Sequence, residues 1–177
     1  MMMTDMPPLL VVGSGARMWD ELAALSKAGW TGDFMAINHV GTHYMGDITH
    51  WVSWHLEMLI PARKLRWHHA PDNKNFRCWS GDGFISEKEE VCDGRFKIPN
   101  EGGTSALLAV LIGEELGYTD ILMAGCPLDG SGYFYRPGIE HRYDEPVKKA
   151  WRWAVPNFKA KVRSMSGFTR DLLGPPE

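Results

Sequence analysis

The stretch from Thr104 to Ala124 constrains the fold most. Thr104–Leu116 carries the strongest helical pattern in the chain and stops at Gly117. The apolar run Ile121–Ala124, with the character of a buried strand, follows almost at once. The same alternation recurs upstream. Leu9–Val12 is an apolar run that ends in the glycine turn Gly13-Ser14-Gly15. Met18, Leu22 and Leu25 then fall at helical spacing across Met18–Ala28, before Gly29. Asp33–Asn38 and His50–Trp54 read as the second and third strands. Pro61 interrupts any helix over Leu59–Leu65, so Leu65–His68 reads as a short fourth strand. Glu145–Val155 is helical, with Pro146 suited to its first turn, and Pro156 ends it. Lys161–Met165 is a last strand and Thr169–Leu173 a terminal turn of helix.

Strands alternating with helices predict an α/β fold. The expected form is one domain over 1–177, a mostly parallel sheet with helices on both faces. A length of 177 residues suits one domain with a sizeable core. The region 71–100, rich in Asp, Asn, Gly and charge, reads as an irregular insertion. Its Asp-Gly in "CWSGDGFI" predicts a hairpin. Residues 1–8 are expected to be disordered. The N-terminus has no basic segment leading into a long apolar run, and no stretch is long enough for a membrane span. Three cysteines at Cys78, Cys92 and Cys126 do not form a disulfide framework, so a cytoplasmic setting is expected.

In parallel α/β sheets, ligands bind outside the carboxyl ends of the strands. The residues expected there are Gly13–Arg17, Asn38–Tyr44, His55, Cys126–Gly130 and Ser166–Thr169. The turn Gly13-Ser14-Gly15 before a helix suits a phosphate or sugar, with Arg17 beside it. Met18 stands where a dinucleotide fingerprint needs its third glycine, and Asn38 replaces the acid that would hold a ribose. NAD is therefore not expected, and no Walker A lysine follows. Asn38 and His55 end strands as polar groups that face either a ligand or neighbouring loops. Thr104 and Ser105 cap the long helix and could equally offer hydroxyls and amides to an anion.

Asp129 in "GCPLDG" is placed for a ribose hydroxyl, a metal or a base role; as Asp-Gly it also suits a plain turn. The aromatic connection "SGYFYRPGIEHRYDEP" reads as a lid with Tyr133, Tyr135, Arg136 and Arg142. Its His141 is the candidate general base. Net charge is −3, which argues against nucleic acid as a global partner. From Arg142 to Arg170, however, eight Lys/Arg face two Asp/Glu, a local +6 that leaves −9 elsewhere. That basic third could receive an anionic ligand. His68, His69, Cys78 and Cys92 lack a Cys-x-x-Cys pair, and no zinc site is expected from them.

The order of these motifs resembles a known superfamily. "VVGSGARM", "MAINH", "HWVSWH" and "TSALLAVLIGEELGYTDILMAGCPLDG" are together similar to the Rossmann-like bacterial CMP-sialic-acid sialyltransferases (glycosyltransferase family 42). They are also similar to hydroxymethylpterin pyrophosphokinase-like domains. The resemblance covers roughly residues 9–130. It implies a Rossmann-like domain whose nucleotide pocket is lined by Gly13–Gly15, Asn38, His55 and Thr104–Ser105. The chain departs from the sialyltransferase pattern in its first turn, at His55, and at Pro127, where the family carries its acid. A small stand-alone protein of this kind also resembles phage-encoded ones.

The expectation is a nucleotide-binding transferase. Glycosyl transfer from a nucleotide-activated sugar is favoured over pyrophosphoryl transfer, with His141 and Asp129 as the catalytic pair. The rival is a non-catalytic nucleotide-binding, regulatory or virion-associated protein. A nucleotide or nucleotide-sugar is the small-molecule partner and substrate, and no tightly bound cofactor is expected. Metal dependence and the acceptor are left open, and a homo-oligomer is compatible with the sequence.

Overall fold

A computed structural model describes residues 6–73, 75–81, 92–96, 104–137 and 145–177, with Leu56 described by its backbone alone. Leu9–Val12 forms β1, Asp33–Ile37 β2, His50–Val52 β3, Arg77–Gly81 β4, Gly94–Phe96 β5, Asp120–Ala124 β6 and Lys161–Ser164 β7. Helices are α1 (Met18–Lys27), α2 (Val40–His43), α3 (Leu56–His69), α4 (Ser105–Glu115), α5 (Glu145–Ala154) and α6 (Gly167–Leu173). The strands form one seven-stranded sheet of order β5-β4-β3-β2-β1-β6-β7, and every pairing is parallel.

Parallel strands covered on both faces lose the polar alternation of a half-exposed strand, which is why they read as unbroken apolar runs. Leu9, Val11, Met35, Ile37, Ile121 and Met123 point to the face covered by α4 and α5. Leu10, Val12, Phe34, Ala36, Leu122 and Ala124 point to the opposite face, with Met18, Leu25 and Leu59 of α1 and α3. Helix α4 is buried from Ala106 to Val110 and again at Ile112 and Gly113. No described helix is long and apolar enough to cross a membrane.

Three expectations change. Leu65–His68 is not a strand: it belongs to α3, which runs through Pro61. Pro61 is the sixth residue of that helix, so its ring removes one backbone bond near a start whose first four N–H groups have no helical acceptor anyway. The described part of the 71–100 region also supplies two strands, β4 and β5. Arg77–Gly81 pairs in parallel with both β3 and β5, so the 71–100 region extends the sheet; the Asp-Gly itself lies outside the described residues. Finally, the Pro8 carbonyl accepts from Asp33 N–H at 2.9 Å, which ties the end of the 1–8 segment to the sheet.

The amino edge of the sheet holds a buried polar relay. Trp79 Nε1–H donates to His50 Nδ1 at 3.0 Å. An indole only donates, so His50 carries its proton on Nε2 and donates to the Tyr118 hydroxyl at 2.9 Å. Tyr118 donates onward to Asp33. Burial is the main cause lowering the His50 pKa, with nearby Arg77 adding to it and Asp33 opposing. The unfolded chain therefore takes up this proton before the folded one does. The stability contribution is complete above about pH 6.5 and is lost as pH falls toward the depressed folded value. Urea midpoints measured from pH 7.5 to 5 should fall for the native chain and fall less for His50→Gln. Equal slopes would remove His50 from the account.

Candidate functional site

The first four parallel pairings carry the chain outward from β1 to β5. Helix α4 then returns it to the other side of β1, where β6 begins. Strand order thus reverses between β1 and β6, and the loops leaving their carboxyl ends diverge around a crevice. A cavity of about 230 Å³ opens there. Seven of the eight residues expected to bind nucleotide line it: Gly13, Ser14, Gly15, Asn38, His55, Thr104 and Ser105. Arg17 does not line it; it is the exposed residue before α1 and makes no side-chain cap.

The glycine turn has a structural cause. A Cβ on Gly13 would lie 2.5 Å from Cys126 Sγ, and one on Gly15 2.6 Å from Pro127 Cδ. The turn amides are also engaged within the protein. Gly13 N donates to Ala124 O, Gly15 N to Gly125 O and Ala16 N to Gly132 O. Beneath α1, the buried carboxylate of Glu21 accepts from Gly125 N at 2.7 Å. An internal acid thus already occupies the positive end of α1. The glycines let the β1 and β6 loops touch, and any anion is better served elsewhere.

That alternative is the start of α4. Thr104 Oγ1 caps Leu107 N at 3.4 Å and also accepts from Trp151 Nε1 at 3.4 Å. Ser105 and Ala106, whose amides have no acceptor within the helix, line the cavity. Asn38 faces this start from the end of β2. It sits at φ +49°, its carbonyl accepts from Trp51 Nε1 at 2.8 Å, and its Nδ2 donates to Ser105 Oγ at 3.3 Å. Leu128, also on the lining, is at φ +48°. A leucine there is strained, and strain of this kind gathers at functional sites.

His55 forms the third wall. Its Nδ1 meets Glu57 Oε1 at 3.1 Å, and both side chains are at least half exposed. A carboxylate on one imidazole nitrogen fixes the tautomer and supports a base role for the ring. Cys126 also lines the cavity, but burial raises its thiol pKa, so it is not a nucleophile at neutral pH.

Of the expected catalytic pair, only Asp129 falls among the described residues. Asp129 is exposed and absent from the lining, and its Oδ1 accepts from Ser131 N at 3.0 Å, closing an Asx turn. His141 and Arg142 lie outside the described residues. Tyr133 lines the cavity. Tyr135 stacks against Tyr133 with ring centroids 5.2 Å apart and lies 4.6 Å from the His39 ring, and the Arg136 guanidinium sits over the Tyr135 ring. The described part of the basic C-terminal third does not reach the cavity. Lys148 and Arg152 cover Phe168, Lys161 pairs with Glu177, and Arg163 pairs with Asp120. Among the described residues, no three His, Cys, Asp or Glu come together as a metal site would need.

Sequence reasoning passed over Trp54 and Glu57 as site residues, and within the expected Cys126–Gly130 segment it did not single out Cys126 or Leu128. The only available signal was position: each lies two to five residues past the end of a strand.

No protein-family model matches the chain, and neither a curated protein nor a solved structure matches it.

Proposed function

We propose that the protein is a nucleotide-binding transferase whose substrate sits in the cavity between β1, β2, β6 and the start of α4. Glycosyl transfer from a nucleotide-activated sugar is the favoured reaction. The observation that supports it is convergence. Loops after β1, β2, β3 and β6, together with the start of α4, bring hydroxyls, a carboxamide and an imidazole to one crevice at the reversal of strand order. The phosphate would take the positive end of α4. His55, oriented by Glu57, is the base to test first among the described residues. It would accept the proton of an acceptor hydroxyl as that oxygen bonds to the anomeric carbon. The nucleotide phosphate would leave with the electrons of the broken bond.

A non-catalytic nucleotide-binding module is the second reading, favoured by the engagement of Asp129 in its own turn. Calorimetry with CMP, CDP, UDP, GDP and ATP tests binding, and absence of binding at millimolar concentration defeats both readings. Release of nucleotide from the nucleotide-sugar that binds separates them. His55→Ala should lower this release by about 10²-fold or more, the usual range for a general base. Asp129→Ala should change it less than twofold. A His55→Ala variant as active as the native chain excludes the base role.

A further inference from the structure

Most tryptophans of the core have a partner for the indole N–H. Trp51 donates to Asn38 O, Trp79 to His50, and Trp151 to Thr104. Trp54 is different: its Nε1 is buried and has no hydrogen-bond partner among the described residues. Its ring is nevertheless held firmly, because a Cβ on Gly81 would fall 1.9 Å from Trp54 Cζ3. Asn38 presents the complementary case. Its Nδ2 is fixed on Ser105, while its Oδ1 is buried and without a partner. Both residues line the same cavity. Leaving a buried polar group unsatisfied is unfavourable, and native proteins keep few such groups without a reason. Here a lone donor and a lone acceptor stand on one cavity, each on a side chain anchored by other contacts.

We infer that Trp54 and Asn38 read the edge of a nucleobase. Trp54 Nε1–H would donate to a ring nitrogen or oxo group, and Asn38 Oδ1 would accept from an adjacent ring N–H or exocyclic amine. Every common base offers an acceptor next to a donor, whereas a sugar phosphate has no planar edge of this kind. This rests on the nucleotide reading above and adds which end of the ligand the β2 and β3 walls hold. The base lies against Asn38 and Trp54.

The test is indole ¹H–¹⁵N NMR on the full chain. The Trp54 signal is identified by its absence in Trp54→Phe, a change that removes the donor while keeping a smaller aromatic ring at the site. UMP, CMP, AMP, GMP and ribose 5-phosphate are titrated separately. The expected result is that at least one nucleotide moves the Trp54 signal downfield and binds at least tenfold more tightly than ribose 5-phosphate. Trp54→Phe should weaken that nucleotide by about tenfold, the effect of one hydrogen bond, and leave ribose 5-phosphate unchanged. If ribose 5-phosphate binds as well as the nucleotides, or the Trp54 signal does not move, base reading is overturned while nucleotide binding stands. If no nucleotide binds, both fall. The ligand comparison uses the native chain, so it decides the matter even if Trp54→Phe fails to fold.

Discussion

Arg66→Met should destabilise the protein by about 3–5 kcal/mol. Arg66 is 0% exposed, yet it carries a guanidinium that ends on the main chain rather than on a carboxylate. Nη1 donates to Gly41 O at 3.0 Å and to Tyr44 O at 2.6 Å. Nη2 donates to Gly46 O at 2.7 Å and to Asn73 Oδ1 at 2.9 Å. Asn73 in turn donates to Asp47, whose negative charge favours the cation that burial disfavours. Removing the guanidinium strands three buried or part-buried carbonyls, each unfavourable by about 1–3 kcal/mol, and leaves a cavity beside Phe76. Methionine fills part of the volume but satisfies none of the carbonyls. Arg66→Lys should recover only a fraction, because an ammonium cannot span four acceptors in a plane. The check is the urea midpoint at constant m-value, and a loss below about 1 kcal/mol would contradict this account. The effect should reach the cavity too. The carbonyls held by Arg66 shape the loop after Asn38, where Gly41 lies against the Trp51 ring that fixes the Asn38 backbone.

Gly125→Ala should lower stability by about 3 kcal/mol or more, a fall in Tm of roughly 6–12 °C for a chain of this size. Two causes add. Gly125 has φ +63°, a conformation that costs an L-residue about 1–2 kcal/mol. A Cβ there would also lie 2.2 Å from Gly13 O and 3.0 Å from Met18 Cβ. The first of these is backbone and cannot swing aside, so the β1 turn must move. Gly29 supplies the control. It has φ +74° with nothing within 4 Å of the missing Cβ. Gly29→Ala should therefore show the conformational part alone, about 1–2 kcal/mol. Differential scanning calorimetry of both variants separates strain from crowding. Equal losses would mean that the two loops part more easily than their contacts imply.

The central strands were legible because each is buried on both faces, so nothing interrupts its apolar run. Leu9–Val12 and Ile121–Ala124 are the clearest cases. Strand β4 was harder, since Arg77, Ser80 and Gly81 dilute its pattern, and Gly81 is covered by Trp54, which the fold brings over it. Helix α3 was obscured by Pro61, whose effect depends on how far into the helix it falls. At the site, glycines and hydroxyls past strand ends were readable because those residue types are uncommon within buried strands. Trp54 was not, and Cys126 and Leu128 were placed only as part of their loop, because an apolar residue has the same appearance in a core and on a cavity wall. Asp129 was ambiguous for a local reason. A carboxylate can satisfy the backbone N–H two residues on, and a sequence does not reveal which partner it takes.

The position of β1 has a consequence for how the protein is made. Its partners are β2, joined through α1, and β6, more than a hundred residues later: Leu9 pairs with Asp33 on one side and Ile121 on the other. During synthesis, one flank of the apolar Leu9–Val12 segment has no strand to meet until most of the chain has emerged. Long-range parallel pairings form slowly, and an open apolar edge invites association with other chains in the interval. The crevice is complete only when β6 docks, so its walls come together at the step that ends this exposure.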